Sequence, residues 1–272
     1  MSVKEIFFSQ SQHKGEGGSL FRISKLFQIP QVNVFPAQLP AVYFCFQAII
    51  FSESRIIAGG TAEGRQFRIR KKLGHSCFRV ECQGYAVVLD PFEPGSVPGL
   101  RDIRQTADQV LCSHQHHDHN YRAGVALRQD GPANPFTITA LPSFHDGCGG
   151  AKQGPNTIHL LEAQGLRVAH LGDIGAMPAP DVVERLQNLD AVLVPVGGFY
   201  TVGPKEAKEI VDALQARVVI PMHYRSDAFG FDVLAPVEDF LELDSHWMRY
   251  ETDTLEIHEN MRHSVAVLTY GG

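Results

Sequence analysis

The sequence predicts a mixed, layered α/β domain over residues 66–272, preceded by an irregular or accessory N-terminal extension over 1–65. Three observations point there. Short alternating apolar runs divided by Gly-containing turns come first, as in antiparallel hairpins. Apolar strands alternating with helical periods come later. Between them, the stretch VLCSHQHHDHNY (110–121) sets four histidines and an aspartate directly after an apolar run, so chemistry sits at a strand end.

The elements follow in order. FRIRKKL (67–73), CFRVEC (77–82) and YAVVLD (85–90) read as three strands joined through GHS and QGY. QVLCS (109–113) is a short strand leading into the histidines. FTITAL (136–141), TIHLLEA (157–163) and LRVAHLGD (166–173) alternate or run apolar, with Gln164-Gly165 as a hairpin turn. A helical pattern at 180–188 precedes the apolar strand AVLVPV (191–196). PKEAKEIVDALQ (204–215) reads as a helix, with Pro204 suited to its first turn. VVIPM (218–222) is a buried strand, VEDFLEL (237–243) a helix, and strands near 247–251, 254–258 and 264–269 close the chain. No repeat and no second domain is expected.

Composition narrows the function classes. The 272 residues, 44% hydrophobic and 20% charged, suffice for one sizeable core. A net charge of −6 argues against a nucleic-acid partner, because backbone binders carry a basic excess. Residues 1–65 hold six Lys+Arg against four Asp+Glu; the remainder holds 18 against 26. Five cysteines without a CxxC pair speak against a disulfide framework and for a reducing, cytoplasmic setting. No apolar run approaches the roughly 18 residues of a membrane span. The most apolar stretch, AVYFCFQAIIF (41–51), is broken by Gln47 and leaves a homo-oligomer open as a way of covering it.

The histidine cluster carries the functional reading. His114 and His116 are two apart and project to one side of extended backbone, whereas His117 falls out of phase. Asp118 and His119 follow in a tight turn or first helical turn and can face back. Imidazole and carboxylate are the donors that a borderline divalent metal prefers, and this many suit two ions. Further ligands are available at three later strand ends: His145 in SFHDG, Asp173 in AHLGDIG and His223 in IPMHY. A carboxylate with glycine nearby on each side suits a bridging position.

HxHxDH at 114–119, then a single His, an Asp in GD and a late His, resembles the metallo-β-lactamase superfamily. LGHSCF (73–78), LDPF (89–92), PSFHDGCGG (142–150), VPVGGFYTVG (194–203) and VIPMHY (219–224) are similar to its branch of zinc-dependent hydrolases that includes ascorbate-6-phosphate lactonase. The resemblance runs from about Phe67 to the C-terminus. It implies an αββα sandwich with His114, His116 and His145 on one ion, Asp118, His119 and His223 on a second, and Asp173 bridging. The implied cofactor is two divalent metal ions, Zn2+ first and Mn2+ or Fe2+ as other occupants. The implied activity is hydrolysis of a small-molecule ester, lactone or phosphodiester by hydroxide held between the ions, with phosphorylated molecules among the candidate substrates. Two other classes stand beside it: an iron-dependent redox enzyme of the same fold, and a non-catalytic metal-dependent binding protein.

Other residues carry weaker expectations. Asp118 is a candidate proton acceptor as well as a ligand, and His75 is a candidate catalytic group or a turn histidine. Asp90 is a candidate second-layer carboxylate, and Gly197, Gly198, Tyr200 and Thr201 form a loop that can meet a substrate. Arg122 and Arg225 are candidate anion contacts. His159 and His170 read as core histidines, His246, His258 and His263 as surface ones, and Cys112 and Cys148 as packing residues.

Overall fold

Among the described residues, twelve strands form two stacked sheets, two more pair as a short ribbon, and three α-helices pack beside them. The computed structural model describes residues 67–270, all within the unit Gly59–Gly272, so the expected extension over 1–65 lies outside the described residues. The strands are β1 (Phe67–Gly74), β2 (Cys77–Cys82), β3 (Tyr85–Leu89), β4 (Gln105–Ala107), β5 (Gln109–Leu111), β6 (Val125–Leu127) and β7 (Thr137–Phe144). They continue with β8 (Pro155–Ala163), β9 (Leu166–His170), β10 (Ala191–Pro195), β11 (Val218–Met222), β12 (Trp247–Tyr250), β13 (Leu255–Ile257) and β14 (Ser264–Leu268). The helices are α1 (Pro180–Arg185), α2 (Pro204–Leu214) and α3 (Glu238–Leu241).

The smaller sheet has the order β13-β1-β2-β3-β5 and the larger β12-β14-β11-β10-β9-β8-β7. Hairpins dominate the first: β1–β2 and β2–β3 are antiparallel. In the second, β9, β10, β11 and β14 run parallel, the pattern expected where helices cross between strands. The β8–β9 turn is Gln164-Gly165 with φ of 53° and 75°, the left-handed pair that a two-residue hairpin requires.

Period-two alternation divides the core. Leu193 of β10 and Ile220 and Met222 of β11 face Phe78, Val80, Val87 and Leu89 of the smaller sheet. Val192, Val194 and Val219 point the other way, against Val182, Ile210, Val211, Leu214 and Phe240 of the helices. In α2, Ala207, Ile210, Val211 and Leu214 recur at helical spacing, Pro204 opens the helix and Gln215 closes it in left-handed conformation. Full burial of each larger aliphatic is worth roughly 1.5–3 kcal/mol. The outer face of the smaller sheet is covered by Phe92, Val97 and Ile103 and by the parallel ribbon β4–β6. That ribbon escapes sequence reading because three-residue strands carry no measurable period. Among the described residues, no helix is long and apolar enough to cross a membrane.

One polar side chain joins the sheets. Lys72 on β1 is 1% exposed, donates to the Tyr224 hydroxyl after β11, and lies 3.4 Å from the Leu268 carbonyl of β14. Burial, aided by Arg249, lowers its pKa from 10.5 to about 7. Between these values the unfolded chain binds a proton that the folded chain has released, so this group makes stability rise with pH. Lys72→Met removes that dependence. In urea denaturation, the wild type is expected to gain stability relative to the variant between pH 7 and pH 10; parallel curves would refute the buried-amine assignment.

Candidate metal centre

The strand ends converge at one edge between the sheets. His75 lies in the β1–β2 turn, Asp90 after β3, His114–His119 after β5, His145 after β7, Asp173 after β9 and His223 after β11. His114, His119, His145, Asp173 and His223 are buried, while His116 is exposed and Asp118 partly so. The 114–119 segment is a chain of bends and turns, closed by the His119 amide donating to the His116 carbonyl (3.0 Å), with no helical turn.

Hydrogen bonds on the outer nitrogens fix the tautomers. The Asp90 carboxylate, with no exposure, accepts from the Ser113 amide (2.7 Å), the Ser113 hydroxyl (2.6 Å) and His119 Nδ1 (2.9 Å). Because the Ser113 proton goes to Asp90, Ser113 Oγ accepts from His114 Nδ1 at 2.9 Å. His145 Nδ1 donates to the Tyr200 carbonyl at 3.1 Å. All three rings therefore carry a proton on Nδ1 and direct Nε2 inward, as outer partners do for ligating histidines. His114 Nε2 and His119 Nε2 are buried without a hydrogen-bond partner.

Those nitrogens meet a carboxylate. Asp173 Oδ2 lies 3.1 Å from His119 Nε2, 3.3 Å from His145 Nε2 and 3.0 Å from His223 Nε2. Positive charge is needed against this anion: burial pulls the His119 and His145 pKa values down, but Asp173 outweighs it and raises both, and in the neutral rings the same Nε2 lone pairs are free for a cation. Burial pushes the Asp173 carboxyl up, but His119 and His223 outweigh it and hold it well below the ordinary carboxylate range. Burial drives His114 down to about 3, so its lone pair stays free at neutral pH. For Asp90, burial acts upward, and His170 and His119 together bring it to about 2.

Three groups with donor atoms within 4.8 Å of one another emerge at this edge: His114, His116 and His145; His75, Asp118, His119 and His223; and, behind them, Asp90, His114 and His119. The structure thus brings together all seven expected ligands, with Asp173 against the first two groups. His75 was expected as a catalytic group. It is 1% exposed, its Nε2 lies 3.4 Å from Asp118 Oδ2, and its ring sits 3.9 Å from that of His223. Burial, then His223, lowers its pKa to about 4, so a neutral His75 supports Asp118 from behind.

A cavity of about 420 Å³ opens onto the cluster, lined by His116, Asp118, His145, His223, Tyr200 and Phe231 among others. None of its described lining residues is Lys or Arg. Arg122 instead binds the Val110 carbonyl (3.0 Å), and Arg225 opens onto a separate cavity of about 340 Å³. His170 behaves as the expected core histidine, 2.9 Å from the Ser76 carbonyl. Cys148, expected to pack, is exposed because the loop after His145 is folded by Asp146 accepting four backbone amides rather than by apolar contacts.

Sequence reasoning missed Asn156, whose Oδ1 accepts the Asp173 amide (3.0 Å) and whose Nδ2 donates to Ser143 Oγ and the Leu171 carbonyl. An asparagine inside β8 gives no signal until its partners on other strands are known. Gly172 also becomes intelligible here: its φ is +59°, and a Cβ would lie 2.3 Å from Asn156 Oδ1.

Comparison with known proteins agrees with the geometry. The β-lactamase superfamily domain matches residues 70–223. The chain belongs to the metallo-β-lactamase superfamily. Among members similar to this superfamily chain, a UPF0173 metal-dependent hydrolase from Desulforamulus reducens is 30% identical over 189 residues, covering 57% of this chain and 83% of the relative. A Thermotoga maritima structure, named for a Zn-dependent hydrolase of the metallo-β-lactamase superfamily, is 38% identical with a TM-score of 0.59, covering 74% of this chain and 98% of the other. Igni18, a metallo hydrolase from Ignicoccus hospitalis, is 22% identical with a TM-score of 0.53 over 71% of this chain and 99% of its own, and shares the fold.

The approach of the Asp173 loop to His145 depends on Gly175. Its amide donates to the Phe144 carbonyl (2.9 Å), and a Cβ there would stand 2.4 Å from the Asp146 backbone. Gly175→Ala is expected to cost about 1–3 kcal/mol, as overpacking does, in a urea unfolding curve. An unchanged midpoint would rule out the close contact.

Proposed function

We propose that residues 66–272 form a di-metal hydrolase of small, uncharged carboxylic esters or lactones, with Zn2+ as the resident ion. The observation that carries the reading is the set of Nδ1-anchored imidazoles whose Nε2 atoms face inward, those of His119 and His145 onto Asp173. On this reading His114, His116 and His145 hold one cation, Asp118, His119 and His223 the other, and Asp173 serves both. Such ions lower the pKa of bound water to about 7 and polarise a carbonyl.

The chain's own residues supply the rest. Asp90 and Ser113 orient His114 and His119, and the Tyr200 carbonyl orients His145. Asp118 reaches the cavity with its side chain 21% exposed, and is the group suited to take a proton from an attacking water. His75 is a positioning residue, its Nε2 3.4 Å from Asp118 Oδ2. Tyr200 and Phe231 give the cavity an aromatic wall, with ring centroids 6.0 Å apart. Without a lysine or arginine in that lining, a free phosphate monoester has no cationic partner from the protein. This favours a neutral acyl substrate over a phosphorylated one.

Metal analysis by mass spectrometry on protein purified without chelator, followed by an ester, lactone and phosphodiester panel, tests the proposal. Two zinc equivalents lost on His116→Ala, besides any held at the protein surface, and turnover of esters or lactones are expected. Stoichiometric iron with an optical band would overturn it in favour of redox chemistry. His116→Ala is expected to lose metal and to reduce turnover by more than roughly 100-fold, the upper range for outer partners alone. Asp118→Asn is expected to lower kcat at least as much; full activity in either variant sinks the assignment.

A further inference from the structure

A second cluster lies at the opposite end of the larger sheet. Asp244 and His246 occupy the turn between α3 and β12, and His263 immediately precedes β14. His263 Nδ1 is 3.2 Å from the carbonyl of Ala216, just ahead of β11, whereas His223 follows the far end of that strand. The intervening extended residues, at about 3.3 Å each, separate this cluster from the first by roughly 20 Å.

Its hydrogen bonding repeats the logic of the main centre. A carbonyl only accepts, so His263 carries its proton on Nδ1. In the neutral ring Nε2 is then a lone pair, yet it faces Asp244 Oδ2 at 3.1 Å. His246 Nδ1 faces the other carboxylate oxygen at 3.5 Å, with the Ser245 hydroxyl at 3.3 Å. The Asp244 side chain is 7% exposed beneath rings that are 68% and 45% exposed, and one donor atom of each residue lies within 4.8 Å of the others. Lys208 lies 4.0 Å from Asp244, but its ammonium sits on Asp212 at 2.6 and 2.7 Å. Asp244 Oδ1 also accepts the His246 amide at 2.8 Å, which fixes the carboxylate in place, and two imidazoles with one carboxylate are donors that suit a borderline divalent metal.

We propose that Asp244, His246 and His263 form a peripheral site for one divalent transition-metal ion of the Zn2+ class, open to water, which ties the α3–β12 turn to the β13–β14 turn. The site does not depend on the function proposed above. It is tested by equilibrium dialysis of the full chain against micromolar Zn2+ at pH 7.5 with metal counting, and by Cu2+ titration followed by electron paramagnetic resonance. The His246→Gln/His263→Gln variant is expected to bind one equivalent fewer than wild type and to lack a two-imidazole copper signal, with hydrolytic activity unchanged. Equal stoichiometry and an identical copper spectrum in both proteins would overturn the proposal, leaving an imidazolium–carboxylate pair alone. His116→Ala reports separately on the main centre, so the two readings fail independently.

Discussion

Asp90 is fully buried, yet its carboxyl stays ionised because two donors from Ser113 and one from His119 converge on it. Burying a carboxylate without partners is prohibitive, so the fold must bring the end of β3 against the end of β5. Once it does, the direction of every proton in the relay is determined. Ser113 gives its hydrogen to Asp90 and therefore takes one from His114, and both rings turn their lone pairs to the cavity side. The orientation of the cluster is thus inherited from a residue that never touches the cavity.

The backbone is strained where it turns into this edge. His75, Asp90 and His223 all adopt left-handed φ, between 45° and 53°, although none is glycine. Such conformations are uncommon for residues with a Cβ and persist only when the surroundings over-determine them. Here they do: the His223 amide donates to the His75 carbonyl at 3.3 Å, and Asp90 is locked by its hydrogen bonds. Strand ends from both sheets can then point side chains into one small volume.

Much of this was legible from one chain of letters. His114, His116, Asp118 and His119 are close in sequence, so their convergence depends only on local geometry; alternation in β2 marks its inner face, and the continuous apolar runs of β10 and β11 mark strands buried on both faces. The Gln164-Gly165 hairpin is legible for the same local reason. What escaped is long-range. The Asn156 clamp on Asp173 and the Ser113 relay depend on which strands neighbour each other, and the Asp244–His246–His263 cluster forms only because β14 lies parallel to β11 and β12. His75 was visible as a polar residue in a turn, but its placement behind Asp118 follows from β1 lying beside β2 beneath the β11 end.

Charge balance bears on how many ions the proposed centre takes. Asp90, Asp118 and Asp173 contribute three negative charges in a region where His114, His119 and His223 are almost excluded from water. With neutral imidazoles, one divalent ion leaves that region net negative by one. Two leave it net positive by one, which favours a single anionic nucleophile or the negative charge that develops on a carbonyl oxygen during attack. Counting that anion, two ions would bring the region to neutrality and one would leave it net negative by two, and in a low-dielectric setting such a balance matters far more than at the surface. On the proposed two-ion reading, that surplus would make a cationic side chain redundant for a neutral substrate, in keeping with described lining residues that include aromatics and no lysine or arginine.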